Sequence, residues 1–222
     1  VQWERPWKTE PLIMLGAGLL ISLSAGMLAT LGLQHFASHL PAAQERFYAF
    51  VISSVSFQGV AMVLTHFFLR EHELRWPEFL GFRNPNRRKA ILLAFGIGIL
   101  AVPLAQLLSK FSEMLLTLFQ ATPKMQPTME VLRLSVSPGQ RILFGFTALL
   151  VAPVVEEVLF RGIVYRLIQQ RGFPRLALLV SSIVFGAIHN NLMTLLPLSC
   201  FAVVLALLYD RTDNLLAPIV AH

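Results

Sequence analysis

An acidic pair and an arginine interrupt an apolar stretch at residues 152–162. Glu156 and Glu157 are adjacent, and Arg161 follows four positions after the second carboxylate. Ionisable side chains at membrane depth each cost about 2.5–3.5 kcal/mol on insertion scales, so this group needs a reason. On a helix that turns about 100° per residue, Glu157 lies about 40° from Arg161, whereas Glu156 lies about 140° away. We therefore predict that Arg161 neutralises Glu157 and that Glu156 is free to act as a base.

Two histidines follow this stretch, each on a separate predicted helix. His189 stands four positions after Phe185, on the same helix face, and His222 follows an Ala-Pro-Ile-Val-Ala run. One carboxylate with two imidazoles can activate water, either on a metal ion or by general-base catalysis. Their spacing is not the His-Glu-x-x-His spacing of soluble zinc proteases. The residue types alone favour a hydrolytic site and a proton or ion pathway about equally.

The composition indicates a protein that is embedded in a lipid bilayer. Hydrophobic residues make up 55% of the chain and charged residues 14%, against about 25% charged in a soluble domain. The net charge of +6 comes from basic residues that lie between apolar runs, which the positive-inside rule explains better than nucleic-acid binding. The single cysteine, Cys200, allows no disulfide within the chain. We predict an all-α, polytopic transmembrane helical bundle without a nucleic-acid partner.

The apolar runs predict about six full spans and a truncated seventh, in one integral membrane domain. Residues 1–136 would hold the N-terminal membrane helices, and residues 137–222 the core helices that carry the acidic pair and both histidines. The last run, eight residues long, would make only about 12 Å of helix against a hydrocarbon core of about 30 Å. We therefore expect the chain to continue past His222. The predicted helices are 11–36, 47–69, 90–108, 142–169, 176–189, 193–209 and 215–222.

The connections between these helices also carry signals. Residues 70–89 mix aromatic and basic side chains, which is typical of an interfacial segment at the headgroup level, although a solvated loop is nearly as well supported. Residues 112–119 could form a separate amphipathic helix. Ser137 followed by proline is typical of a helix start. In the first span, close helix packing is expected at a stripe of small residues, which are Ser22, Gly26 and Thr30. In the long connection, breaks in regular structure are expected at Pro123 and Pro127.

The basic residues of alternate connections predict the orientation in the membrane. The side that includes the N-terminus holds twelve of them, six of which lie in residues 70–89. The opposite side holds five, which are Arg46, Lys110, Lys124, Arg133 and Arg141. The positive-inside rule therefore predicts a cytoplasmic N-terminus.

Three motifs of the second half, taken in order, resemble those of a known family. They are Glu156-Glu157-x-x-x-Arg161, then Phe185-x-x-x-His189, then His222 after an Ala-Pro-Ile run. This order is similar to that of the CAAX protease and bacteriocin-processing (CPBP) family, intramembrane endopeptidases that include the Ras-converting CAAX endopeptidase. Residues 76–83 also resemble the interfacial segment found upstream in bacterial members. The motif-bearing part runs from about Ser137 to His222.

The resemblance implies a role for each motif residue. Glu156 would be the general base that activates water, and His189 would hold that water or stabilise the oxyanion. His222 would open the third motif, in which an Asn or Asp is expected four positions later. Glu157 and Arg161 would be the supporting pair of the catalytic set. The substrate would be bound beside Phe185, and the water would be activated either on zinc held by Glu156, His189 and His222 or by Glu156 without a metal.

Three functions are consistent with the sequence. The favoured one is a CPBP-type metallo- or glutamate endopeptidase of a bacterial plasma membrane, acting near the membrane surface on a protein or peptide that is lipidated in some relatives. The second is a non-catalytic membrane scaffold or bacteriocin self-immunity protein of the same fold. The third is a secondary transporter that uses the charged residues as relays. The transporter is least favoured, because the charged helix has no counterpart in the first half of the chain.

Overall fold

The computed structural model describes residues 6–37, 39–120, 133 and 137–222, and every regular element in these ranges is helical. Five helices are long and apolar enough to cross a bilayer, which confirms the all-α membrane fold. Pro123, Pro127 and Lys124 lie outside the described residues. The helices are α1 (Thr9–Phe36), α2 (Ala42–Glu71), α3 (Trp76–Phe79), α4 (Arg87–Leu118), α5 (Pro138–Gln170), α6 (Pro174–Ala187), α7 (Leu192–Thr212) and α8 (Leu216–Ala221).

Two of these helices differ from the sequence-based expectation. The predicted third span and the separate helix at 112–119 are one continuous helix, α4, because no proline or glycine interrupts residues 104–118. Helix α6 has 14 residues, about 21 Å of helix, which is shorter than the hydrocarbon core. The long helices that cross a bilayer by length and composition are therefore α1, α2, α4, α5 and α7.

Helix α5 begins at Pro138, at the start signal that Ser137 and the following proline provide and four residues before the predicted range 142–169. Ser137 Oγ accepts the backbone N–H of Gln140 at 3.2 Å, and the Gln140 side chain accepts the backbone N–H of Ser137 at 3.4 Å. This capping box satisfies two donors at the helix start. Within α5, the segments Thr147–Val151 and Val158–Tyr165 are π-helical, and the acidic pair lies on the turn between them. Such segments are often found at functional sites.

The chain forms two compact units. The first, here the α1–α2 unit, comprises the described residues within 7–74 together with residues 133 and 137–155. In it, the hydroxyl of Ser22 donates to the carbonyl of Ser56, and a Cβ added at Gly26 would lie 2.7 Å from Ser56 Cβ. At Ser22 and Gly26 of the predicted stripe, α1 and α2 therefore approach each other closely.

Among the described residues, the second unit, here the motif-bearing unit, comprises residues 6, 75–120 and 156–222. Its core joins α4, α7 and α8 through small or aliphatic side chains, which are Ala90, Ala94, Leu205, Leu208, Ala217 and Ala221. The spacing of four residues continues from Ala94 to Gly98, where an added Cβ would lie 2.9 Å from the carbonyl oxygen of Ala221. Small side chains on α4 thus let the short helix α8 pack close against it.

Candidate active site

The first component of the site is a buried ion pair. Arg161 Nη1 lies 2.8 Å from Glu157 Oε1, and the two residues are 1% and 0% exposed. The second nitrogen, Nη2, donates to the backbone carbonyl of Ala202 on α7 at 3.0 Å. The predicted pair is present, and the arginine also ties α5 to α7. The contribution of Ala202 could not be found from the sequence, since a backbone carbonyl leaves no signal in residue types.

His222 meets the same carboxylate. Its Nδ1 lies 3.0 Å from Glu157 Oε1, and its Nε2 lies 3.7 Å from Glu156 Oε2. Because a carboxylate oxygen accepts hydrogen bonds, the proton of a neutral His222 belongs on Nδ1 and its Nε2 faces Glu156. The sequence predicted a site shared by these residues. It gave no sign of the Glu157–His222 contact, whose partners are 65 positions apart.

The two adjacent carboxylates differ in their surroundings. Glu157 is fully buried beside Arg161, whereas the side chain of Glu156 is 17% exposed, as is that of His222. Glu156 is therefore the carboxylate of the pair that solvent can reach, whereas both carboxylates lie near the His222 imidazole.

His189 lies in the turn after α6, because this helix ends at Ala187, two residues earlier than predicted. Its Nδ1 is 2.8 Å from the carbonyl oxygen of Phe185. A carbonyl can only accept, so Nδ1 carries the proton and Nε2 of a neutral His189 is left as an acceptor. This bond fixes both the tautomer and the orientation of the ring.

Phe185 is fully buried among the catalytic candidates. Its ring centroid is 5.1 Å from that of His189 and 5.8 Å from that of His222, and the Arg161 guanidinium lies 4.8 Å above the ring. Phe201, which the sequence analysis did not select, packs edge-on to His222 at 5.5 Å. Phe185 thus supports three members of the site. Its contact with a substrate remains a prediction, and the ring has no exposed surface in this structure.

The side chains as placed do not form a three-ligand metal centre. Among the described residues, no group of three or more His, Cys, Asp or Glu side chains is arranged to hold a metal ion. One nitrogen of each imidazole is already engaged, at Glu157 for His222 and at the Phe185 carbonyl for His189. Zinc binding by Glu156, His189 and His222 therefore remains a prediction.

The motif-bearing unit thus brings the two adjacent carboxylates close to the His222 imidazole, with Phe185 packed between the rings of His189 and His222. Residues 138–222 match the family model described as type II CAAX prenyl endopeptidase Rce1-like. The resemblance to the CAAX protease and bacteriocin-processing family is thereby confirmed for this part of the chain. All five predicted catalytic residues lie within the matched range, as does Phe185.

A curated relative supports the same family. The chain is 36% identical over 73 residues to YdiL of Bacillus subtilis (strain 168), which is named as a candidate membrane peptidase. The aligned residues are 33% of this chain, and they span 30% of the length of that relative. No solved structure matches the chain.

Proposed function

We propose that this protein is an intramembrane endopeptidase that hydrolyses a peptide bond of a protein or peptide near the membrane surface. One observation carries the proposal. The partly exposed Glu156 faces an imidazole nitrogen of His222, while its neighbour Glu157 is buried and paired with Arg161. One carboxylate is thus available as a base and the other is held for support. The family match of residues 138–222 supports the reaction class.

The geometry supports a general-base mechanism. Water held between Glu156 and the Nε2 of His189 would give a proton to Glu156, and the resulting hydroxide would attack the substrate carbonyl carbon. The tetrahedral intermediate would carry its charge on the former carbonyl oxygen. His222, when protonated on Nε2, would donate to that oxyanion. Collapse of the intermediate breaks the C–N bond, and Glu156 returns its proton to the leaving amine.

Glu157 and Arg161 act through His222 in this mechanism. Glu157 Oε1 holds the Nδ1–H of His222 and so fixes the ring, as a buried carboxylate does in acid–base dyads. Arg161 is the cation paired with Glu157, and it links that carboxylate to α7 through the carbonyl of Ala202. Metal chemistry with Glu156, His189 and His222 as zinc ligands is the alternative to the general-base mechanism, and it predicts loss of activity in the presence of a chelator.

The test is cleavage of a panel of quenched fluorescent peptides, with and without a prenylated cysteine, by the purified protein at its natural length in detergent. Glu156→Gln should lower kcat at least a hundredfold, because removal of a general base costs about 10²–10⁴ in rate. His189→Ala should also abolish most of the activity. A chelator arm distinguishes the metal-dependent reaction from the metal-free one, and the prenylated arm tests whether the substrate is lipidated.

A folded protein that cleaves none of the peptides would contradict the endopeptidase proposal. The scaffold or bacteriocin self-immunity alternative predicts that Glu156→Gln keeps full biological function. Protection of cells against a secreted bacteriocin, measured with the wild type and this variant, separates the two functions. Equal protection by both proteins would favour the non-catalytic role.

A further inference from the structure

The connection between α7 and α8 is anchored by a buried amide. Asn214 is 1% exposed. Its Oδ1 accepts the backbone N–H of Leu216 at 2.9 Å, and its Nδ2 donates to the carbonyl of Gly81 at 3.4 Å. The two partners require the same orientation of the amide, because an N–H needs an acceptor and a carbonyl needs a donor. Asn214 thus closes a turn at the start of α8 and joins that turn to the segment before α4.

The backbone at Gly81 is shaped to receive this side chain. Gly81 has φ +84°, a conformation that residues with a Cβ rarely adopt. A Cβ at this position would also lie 2.8 Å from Asn214 Cγ. A side chain at position 81 would therefore be strained and would displace the amide.

Further bonds tie residues 80–84 to the same connection. The backbone N–H of Leu216 is also donated to the carbonyl of Leu80, at 3.1 Å. From the other end of the turn, Asn84 Nδ2 donates to the carbonyls of Thr212 and Asp213, at 3.3 Å each. Residues 80–84 therefore hold the whole α7–α8 connection and not only one side chain of it.

Helix α8 depends on such contacts for its position. It has six residues, and helices shorter than about 12 residues are marginal without tertiary packing. Its start is held by Asn214 and Leu80, and its end packs against Gly98 at the carbonyl of Ala221. His222 follows Ala221 directly, so any movement of α8 is passed to the imidazole.

We propose that Asn214, seated on Gly81, is a positioning residue that sets His222 against Glu157. The inference rests on the proposed function for its catalytic consequence, because His222 acts in the reaction. Its structural part, that the amide fixes the location of α8, stands on the contacts alone. The segment before α4, which resembles an interfacial segment in sequence, thereby becomes part of the support of the active site.

The first experiment compares steady-state kinetics of three variants in the protein at its natural length. Asn214→Ala should lower kcat about ten- to hundredfold with KM unchanged, since a misplacement of about 1 Å can cost about a hundredfold in rate. Asn214→Ser keeps an acceptor for Leu216 and should recover part of kcat. The matched control is Tyr165→Phe, which removes a partly buried hydrogen bond to Asp210 on α7 and alters no residue of α8 or of residues 80–84. It should change kcat less than about threefold, in line with the modest net value of one hydrogen bond.

A double-mutant cycle tests the contact between Asn214 and Gly81 itself. Gly81→Ala should lower kcat as Asn214→Ala does, and the double variant should be no worse than the more affected single variant, because both changes break the same contact. If the losses of kcat in the two single variants multiply in the double variant, the residues act independently, and the proposed role of the Asn214–Gly81 contact is overturned.

Histidine-selective ¹⁵N NMR separates failure of this inference from failure of the proposed function. The His222 signals, assigned by their loss in His222→Gln, should move in Asn214→Ala and stay in place in Tyr165→Phe, whether or not the protein cleaves peptides. Unchanged His222 signals in a folded Asn214→Ala protein would overturn the positioning role. Shifted signals without any peptidase activity in the wild type would uphold that role and contradict only the proposed function.

Discussion

At the residue scale, the site depends on the different surroundings of two adjacent carboxylates. Glu157 is fully buried and contacts the guanidinium of Arg161 and the imidazole of His222, whereas the side chain of Glu156 is partly exposed. Arg161 suits its position because its two terminal nitrogens reach Glu157 and the Ala202 carbonyl at once. A lysine ammonium has no such planar fork. The buried arginine therefore serves both as a counter-ion and as a link between helices.

This arrangement predicts the cost of removing the arginine. Arg161→Ala should lower the free energy of unfolding by about 3–5 kcal/mol, because it leaves Glu157 buried without a cation. Arg161→Lys should lose less, since it keeps the charge and loses one of the two bonds. Denaturation in detergent, followed by circular dichroism, measures both. The control is Arg83→Ala, which removes an ion pair with Glu78 whose arginine side chain is 59% exposed and should cost about 1 kcal/mol or less. Equal stability of Arg161→Ala and Arg83→Ala would contradict the proposed importance of the buried pair.

At the element scale, close approach between helices and loops decides where the candidate catalytic side chains lie. On α5, Gly162 follows Arg161 directly, and the ring of Phe79 from α3 packs against it. Phe79 is buried, whereas Phe82 in the same segment is 46% exposed. The predicted interfacial segment thus gives one aromatic ring to the interior of the motif-bearing unit. The Phe79–Gly162 contact connects the predicted interfacial segment to α5, which carries the acidic pair. The Asn214–Gly81 contact connects the same segment to the start of α8, which His222 follows.

Two glycines of α5 provide a matched test of this packing. A Cβ at Gly162 would lie 2.5 Å from Phe79 Cζ, whereas a Cβ at Gly145 would meet nothing within 4 Å. Gly162→Ala should lower the free energy of unfolding by about 1–3 kcal/mol through overpacking. Gly145→Ala should be neutral or raise it by about 0.5–1 kcal/mol, because glycine is unfavourable inside a helix. Thermal unfolding of both variants, with Phe79→Leu added to Gly162→Ala as a rescue, gives the comparison. A Gly162→Ala protein as stable as Gly145→Ala would refute the contact.

At the scale of the whole molecule, the protein is an integral membrane protein, and the part of the chain that the structure describes contains five helices long enough to span a bilayer. Large apolar side chains such as Leu20, Ile21, Leu92 and Leu100 are more than two-thirds exposed on these helices. Lipid is the environment in which such faces are stable. The cytoplasmic location of the N-terminus is a prediction from the distribution of basic residues.

Cysteine labelling tests the predicted cytoplasmic N-terminus. In a Cys200→Ser background, Gln44→Cys lies on the predicted outer side and Arg83→Cys on the predicted cytoplasmic side. A membrane-impermeant maleimide added to intact bacterial cells that express the protein should label Gln44→Cys alone. Permeabilised cells should show labelling of both, which serves as the control for accessibility. The reverse pattern in intact cells would overturn the orientation.

The sequence determined the parts of this protein that depend on neighbours along one helix. The Glu157–Arg161 pair follows from a spacing of four, the start of α5 from Ser137 and Pro138, and the membrane character from the length of the apolar runs. These features arise because short-range spacing and hydrophobicity act locally, before any helix meets another.

Tertiary structure alone decided which distant residues meet. Glu157 and His222 are 65 positions apart, and Asn214 and Gly81 are 133 apart. A transmembrane helix that is apolar on all sides has no amphipathic stripe to show which face turns inward, so periodicity cannot predict its partners. Those partners are chosen by small residues that permit close approach and by polar groups that must find a hydrogen bond away from water. Gly98 permits the close approach of α8, and Asn214 satisfies its buried amide at Gly81. Together these two contacts place His222 beside Glu157.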